Sequence, residues 1–98
     1  MKGYVLAEVE VTDPTQYEAY RPLAAAAIAK YGGRYLVRGG AIEPVEGDVP
    51  PQRLVLLEFE SPARAREWYH STEYQAAKAL RERAARSRVL LLNGYDPG

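Results

Sequence analysis

Charged side chains interrupt otherwise apolar runs of the sequence at three positions that could do chemistry together. Glu8 interrupts one run, Glu58 interrupts another, and Arg38 ends a third. Two carboxylates near one guanidinium would titrate at different pH values, because the cation favours the ionised form of the nearer acid. Such a trio would suit acid/base chemistry on a small carbonyl or enol substrate, or the binding of a carboxylate through Arg38. These are our candidate catalytic residues.

The same three charges also have a structural interpretation. Charged residues in proteins are mostly exposed or paired with one another. Glu8, Arg38 and Glu58 would then face water at strand ends, or form ion pairs where two subunits meet.

Five further residues are candidates for ligand contact. Three of them are Gly39, Gly40 and Asp48. The two glycines precede a loop rich in Pro, Gly and acidic residues that runs from about Glu43 to Gln52 and contains Asp48. This loop is long enough to act as a flap over a site. Trp68 and His70 could lie at the rim of a pocket. His70 is the single histidine, so it could be a lone general base or an axial haem ligand, or simply a solvated residue at a helix break.

The composition excludes several classes of function. The chain has 98 residues, 13 Lys+Arg against 13 Asp+Glu, and no cysteine. Disulfide scaffolds, thiol nucleophiles and cysteine-ligated metals are therefore excluded, and one histidine cannot form a histidine cluster. A net charge of zero provides no field that would attract nucleic acid or an anionic membrane. We expect a cytoplasmic protein with no metal and no cofactor.

The elements that must position these residues follow from periodicity and capping. Alternating apolar residues predict strands at 4–11, 34–38 and 54–60. The second of these strands should end or bulge at Gly39-Gly40. A continuously apolar run predicts a fourth strand at 89–92, covered on both faces. Asp13-Pro14 and Ser61-Pro62 predict helix starts, and Ser71-Thr72 predicts a restart after a break near His70.

Helical spacing of the tyrosines favours core packing over a ligand pocket. Four arginines near the end of the last helix suit its dipole better than an anion site: Arg81, Arg83, Arg86 and Arg88.

This βαββαβ order predicts one α+β domain over residues 1–98, a ferredoxin-like sandwich with an antiparallel four-stranded sheet in the order 4-1-3-2. In this fold the two helices cover only one face of the sheet. The uncovered face would expose leucines such as Leu6, Leu54 and Leu56, which is more apolar surface than a monomer usually leaves in water. We therefore expect a homodimer that packs sheet against sheet.

Three stretches of the sequence closely resemble one known family. They are YVLAEVEVTDPTQYEAY from Tyr4, YGGRYLVRGGAIEPVEGD from Tyr31 and LEFESPARAREWYHSTEYQAAKALR from Leu57. On these motifs the chain is identified as a member of domain-of-unknown-function family 1330, a branch of the dimeric α+β barrel superfamily. The resemblance implies a ferredoxin-like protomer and a dimer that closes a barrel.

The resemblance implies no particular reaction, because the family's role is not established. The resemblance also implies a place in a wider superfamily of small enzymes. These include cofactor-free monooxygenases and haem-degrading oxygenases, whose sites lie between the sheet and the helices. The haem enzymes tend to combine Asn, Trp and His, whereas Glu8 here stands on the first strand. Family members commonly have an acid or amide where His70 stands.

Two hypotheses of different classes follow. The first is a small-molecule enzyme or binder that handles a compact polar or carboxylate-bearing metabolite in a pocket near the dimer interface. The second is a non-catalytic dimeric accessory or regulatory module, in which the charges only fix the register of the dimer.

Overall fold

The chain forms an antiparallel sheet with its helices packed on one face. The computed structural model describes residues 1–97. Its elements are β1 (Gly3–Val11), α1 (Pro14–Lys30), β2 (Arg34–Arg38), β3 (Arg53–Phe59), α2 (Pro62–Tyr69), α3 (Thr72–Ala84) and β4 (Ala85–Asn93). The strands lie in the order β2-β3-β1-β4, and every neighbouring pair is antiparallel. The predicted ferredoxin-like topology is therefore confirmed.

Each helix begins at a polar cap that the sequence predicts. Asp13 accepts a hydrogen bond from the backbone N–H of Gln16 at 3.2 Å, and the Gln16 amide donates back to the second carboxylate oxygen at 2.9 Å. Ser61 and Ser71 cap α2 and α3 through their hydroxyl oxygens. The predicted break near His70 falls between these two helices. Because a cap satisfies backbone donors that the helix leaves open, it fixes where each helix starts.

The core lies between the sheet and the helices. Val5 and Val9 from β1, and Leu57 and Phe59 from β3, are buried under the helices. The indole of Trp68 packs on this layer, with its ring centroid 5.2 Å from that of Phe59. Burial of large aromatic and branched side chains is the main favourable term in the stability of a domain this small.

The second and fourth predicted strands differ from the structure in ways that matter for the site. Strand β2 ends at Arg38, directly before Gly39-Gly40 as predicted, and Gly39 adopts a positive φ of 71°. The bulge, however, lies between Tyr35 and Val37. The extra residue at Leu36 reverses the faces of the residues that follow it. Strand β4 is longer than predicted and begins directly after α3.

The face of the sheet away from the helices carries a row of leucines. Leu6 lies opposite Leu56 on one side and opposite Leu90 on the other. Strand β4 is an edge strand of the single chain, and Leu90 and Leu92 are 37% and 41% exposed. The prediction that β4 is covered on both faces is therefore wrong for the single chain. None of the helices within residues 1–97 has the length and apolarity needed to cross a membrane.

Candidate functional site

The predicted pairing of Glu8 with Glu58 does not occur. Glu58 lies opposite Tyr4 and Glu8 lies opposite Leu54, so the two acids are four residues apart along the β1–β3 ladder. With a rise of about 3.3 Å per residue, this places them about 13 Å apart. The order of the strands was predicted, but their register was not, and the register separates the two carboxylates.

Arg38 lies on the other side of the sheet from both acids. It is paired with Val55, and its guanidinium carbon lies 4.4 Å above the centroid of the Tyr35 ring. The bulge at Leu36 is the physical reason, because one extra residue moves the rest of the strand to the opposite face. The predicted trio of Glu8, Arg38 and Glu58 is therefore not assembled.

The two acids are instead held in separate ion pairs. Glu58 accepts a hydrogen bond from Arg34 at 2.8 Å and another from the Tyr4 hydroxyl at 3.2 Å. The Arg34 guanidinium holds the pKa of Glu58 below its usual value. Glu8 accepts two hydrogen bonds from Arg88, at 3.0 and 3.2 Å. This arrangement fits the structural interpretation of the charges better than the catalytic one.

The five predicted ligand contacts do not form one site. A cavity lies between the sheet and the helices, and Trp68 is part of its wall. The wall does not include Gly39, Gly40, Asp48 or His70. Asp48 and His70 are exposed. Trp68 is buried and His70 caps α2 on the surface, so the two do not act together as the haem comparison would require.

A cavity lies between the sheet and the helices, over the middle of β1. Its floor is the row Val55, Ala7 and Val89, which are neighbours across three strands. These side chains face the helices, yet they are only partly buried. The small side chain of Ala7 leaves a gap in the centre of the row, and the enclosed space measures about 40 Å³.

Two nitrogen atoms in the cavity wall are buried and make no hydrogen bond within residues 1–97. They are Nε1 of Trp68 and Nε of Arg21. A buried donor without an acceptor costs about 1 to 3 kcal/mol, so such groups are rare unless something else satisfies them. Both residues line the cavity.

A chain of hydrogen bonds crosses the same wall. Arg81 donates to the Tyr74 hydroxyl at 2.9 Å, and this hydroxyl lies 2.9 Å from that of Tyr20. Burial raises the pKa of both phenols above their usual value. The tyrosines are therefore neutral at physiological pH, and they offer hydroxyl groups rather than phenolates.

The wall favours binding through donors over acid/base chemistry. Among the residues that the structure describes, it contains no carboxylate and no imidazole, and no group of three His, Asp or Glu could hold a metal ion within residues 1–97. A general base that works near neutral pH is usually one of these groups. What the cavity offers is an apolar floor, neutral hydroxyls and guanidinium or indole N–H donors.

Sequence reasoning missed most of this site, although two signals were present. Arg81 lies seven residues after Tyr74 and four after Ala77, spacings that place it on the buried stripe of α3. Its position near the helix end led us to assign it to the helix dipole rather than to an anion site. Ala7 is the smallest residue in the alternating run of β1, and it marks the gap in the sheet surface.

Solved structures similar to this chain share its fold at low sequence identity. A protein of unknown function from Rhodopseudomonas palustris is 20% identical, with a TM-score of 0.77 over 98% of this chain and 84% of its own. SnoaB, a cofactor-independent oxygenase from Streptomyces nogalater, is 12% identical, with a TM-score of 0.62 over 97% and 94% of the two chains. A dimeric ferredoxin-like protein of unknown function from Thermobifida fusca is 14% identical, with a TM-score of 0.56 over 95% and 91%.

Comparison at the level of sequence identifies the family. None of the curated proteins is similar enough in sequence to match the chain. The family model described as Domain of unknown function (DUF1330) matches residues 2–95, which is almost the whole chain. The motifs that carry the resemblance in the sequence lie within this range, and the chain belongs to the DUF1330 family.

Proposed function

We propose that this protein binds a small metabolite in the cavity between its sheet and its helices. The observation that carries the proposal is the indole N–H of Trp68, which is buried in the cavity wall and has no acceptor among residues 1–97. An apolar space with a few convergent polar groups is the usual form of a small-molecule site. The proposal moves the site from the open face of the sheet, where Glu8 and Glu58 lie, to the opposite face.

The proposal assigns binding and no reaction. The carboxylates that would do acid/base work are held in ion pairs with Arg34 and Arg88, outside the cavity. The cavity itself supplies donors to a ligand. A small-molecule binder is one form of the first hypothesis, with the cavity taking the place of Glu8, Arg38 and Glu58 as the site.

Trp68 is the single tryptophan of the chain, so its fluorescence reports on the cavity directly. The test is a titration of a panel of small metabolites against the wild-type protein and against Ala7→Leu. The leucine side chain would fill the gap in the floor. We expect it to weaken binding by about tenfold or more without lowering stability, since it replaces an empty space by apolar atoms.

A matched control uses the same substitution on the surface. Ala63 is exposed on α2, so Ala63→Leu should bind every ligand as the wild type does. If Ala7→Leu bound the same ligands with unchanged affinity, the cavity would not be the site.

Self-association through the leucine face is a second proposal, and a separate observation favours it. The row Leu56, Leu6 and Leu90 crosses three strands on the face without helices, and apolar patches of this kind usually mark an interface. The similarity to a dimeric ferredoxin-like protein supports the same idea. We propose a homodimer in which this face of one subunit packs on that of another.

Sedimentation at micromolar concentration tests the dimer. The wild type should sediment as a dimer and Leu56→Glu as a monomer, because the substitution would bury a charge in the interface. Ala79→Glu, at an exposed position of α3, is the matched control and should remain dimeric. A monomeric wild type would contradict the proposal.

A further inference from the structure

Arg81 places a positive charge inside the protein, and no ion pair found within residues 1–97 balances it. The residue is 8% exposed, and its Nη1 donates to the Tyr74 hydroxyl. The ion pairs found within residues 1–97 do not include Arg81. Arginine does not lose its proton in proteins, so the charge remains.

The neighbouring phenols do not neutralise this charge. Burial raises the pKa of Tyr74, whose hydroxyl accepts the hydrogen bond from Arg81, and burial likewise raises the pKa of Tyr20. Both therefore stay protonated near neutral pH. Buried arginines are normally paired with a carboxylate or a phosphate group, and the described chain provides neither here.

The other charged residues around the cavity have the same sign. Arg53 donates from Nε to the Tyr17 hydroxyl at 3.2 Å. Arg21 pairs through Nη1 with the exposed Glu18 at 3.2 Å, which leaves its buried Nε without an acceptor. Three guanidinium groups thus border one small space, and together they make that space favourable for an anion.

We infer that the ligand of this cavity is a compact monocarboxylate whose charge is balanced by Arg81. This rests on the proposed function, and it names the class of ligand. The apolar floor formed by Val55, Ala7 and Val89 suits a short hydrocarbon tail, which a phosphate or sulfate ion lacks. Since a water molecule needs about 10 to 15 Å³ of enclosed space, the cavity of about 40 Å³ has room only for a compact ligand, with its hydrocarbon tail over Ala7.

The experiment compares carboxylates with their uncharged amides. Acetate, butyrate and benzoate, and the corresponding acetamide, butyramide and benzamide, are titrated at constant ionic strength and followed by Trp68 fluorescence and by calorimetry. For at least one pair, the wild type should bind the carboxylate about tenfold or more tightly than the amide, because hydrogen bonds to a charged group are stronger than neutral ones. Arg81→Met should reduce this preference to about threefold or less while amide binding persists.

Arg83 provides the matched control, because it is an exposed arginine on the same helix. Arg83→Met should keep the wild-type preference. If carboxylate and amide bound the wild type equally, or if Arg81→Met kept the full preference, the inference would be wrong while the cavity remained a binding site. If no member of any pair bound the wild type, the proposed function would fail and the inference with it.

Discussion

The hydrogen bond from Arg81 to Tyr74 should make Tyr74→Phe much more destabilising than Tyr20→Phe. Both substitutions remove one hydroxyl and keep the ring. Tyr20→Phe removes one neutral hydrogen bond between the two phenols. Tyr74→Phe removes the same bond and also the acceptor of the buried guanidinium, which is 2.9 Å away.

The expected magnitudes follow from these contacts. A neutral hydrogen bond contributes about 0.5 to 1.5 kcal/mol to stability, and one that involves a charged group contributes about 1.5 to 3 kcal/mol. Tyr20→Phe should therefore lower the free energy of unfolding by about 1 kcal/mol. For Tyr74→Phe we expect a loss of about 2 to 4 kcal/mol.

Urea unfolding followed by Trp68 fluorescence measures both values, at one fixed protein concentration so that self-association does not differ between variants. The double variant Tyr74→Phe with Arg81→Met completes a thermodynamic cycle. In the Arg81→Met background, loss of the Tyr74 hydroxyl should cost only about 1 kcal/mol, because no buried charge is left unpaired. Equal effects of Tyr74→Phe and Tyr20→Phe, with no coupling to Arg81, would refute the reasoning.

Two further predictions concern pH and a close backbone approach. Because burial raises the pKa of Tyr20 and Tyr74 in the folded protein, the contribution of their neutral forms to stability is fully present below pH 10 and is lost as the pH rises above 10. Urea unfolding at pH 11 should show a loss of up to about 1.4 kcal/mol for each tyrosine, absent for that residue in its Phe variant. A β-carbon on Gly3 would lie 2.5 Å from the Ser61 carbonyl oxygen, so Gly3→Ala should lower the free energy of unfolding by about 1 to 3 kcal/mol. A β-carbon on Gly40 meets nothing within 4 Å, so Gly40→Ala should leave the urea midpoint almost unchanged. Equal midpoints for the two variants would show that the contact at Gly3 is relieved at no cost.

The fold could be predicted because its signals are local. Asp13, Ser61 and Ser71 mark the helix starts within a few residues of sequence, and strand alternation identifies β1 and β3 directly. Chain order then leaves few possible topologies. The end of α3 and the start of β4 were harder to place, because the helix passes into the strand at Ala84 and Ala85 without a glycine or proline.

The site could not be predicted in the same way, because it depends on contacts between distant parts of the chain. The bulge at Leu36 contains no glycine to announce it, and it alone decides which face Arg38 occupies. The register between β1 and β3 separates Glu8 from Glu58, and alternation within one strand carries no information about register. Arg81 was recognisable from its spacing to Tyr74, but its lack of an acidic partner is visible only once the helices are packed.

A crystal structure of the protein grown with butyrate would show whether Arg81 binds a carboxylate in the cavity. We expect a carboxylate there, with an oxygen about 2.7 to 3.0 Å from the Arg81 guanidinium and the alkyl chain over Ala7. Butyrate bound only to surface arginines such as Arg83, or oriented with its alkyl end toward Arg81, would show that Arg81 does not balance the charge of a ligand in the cavity.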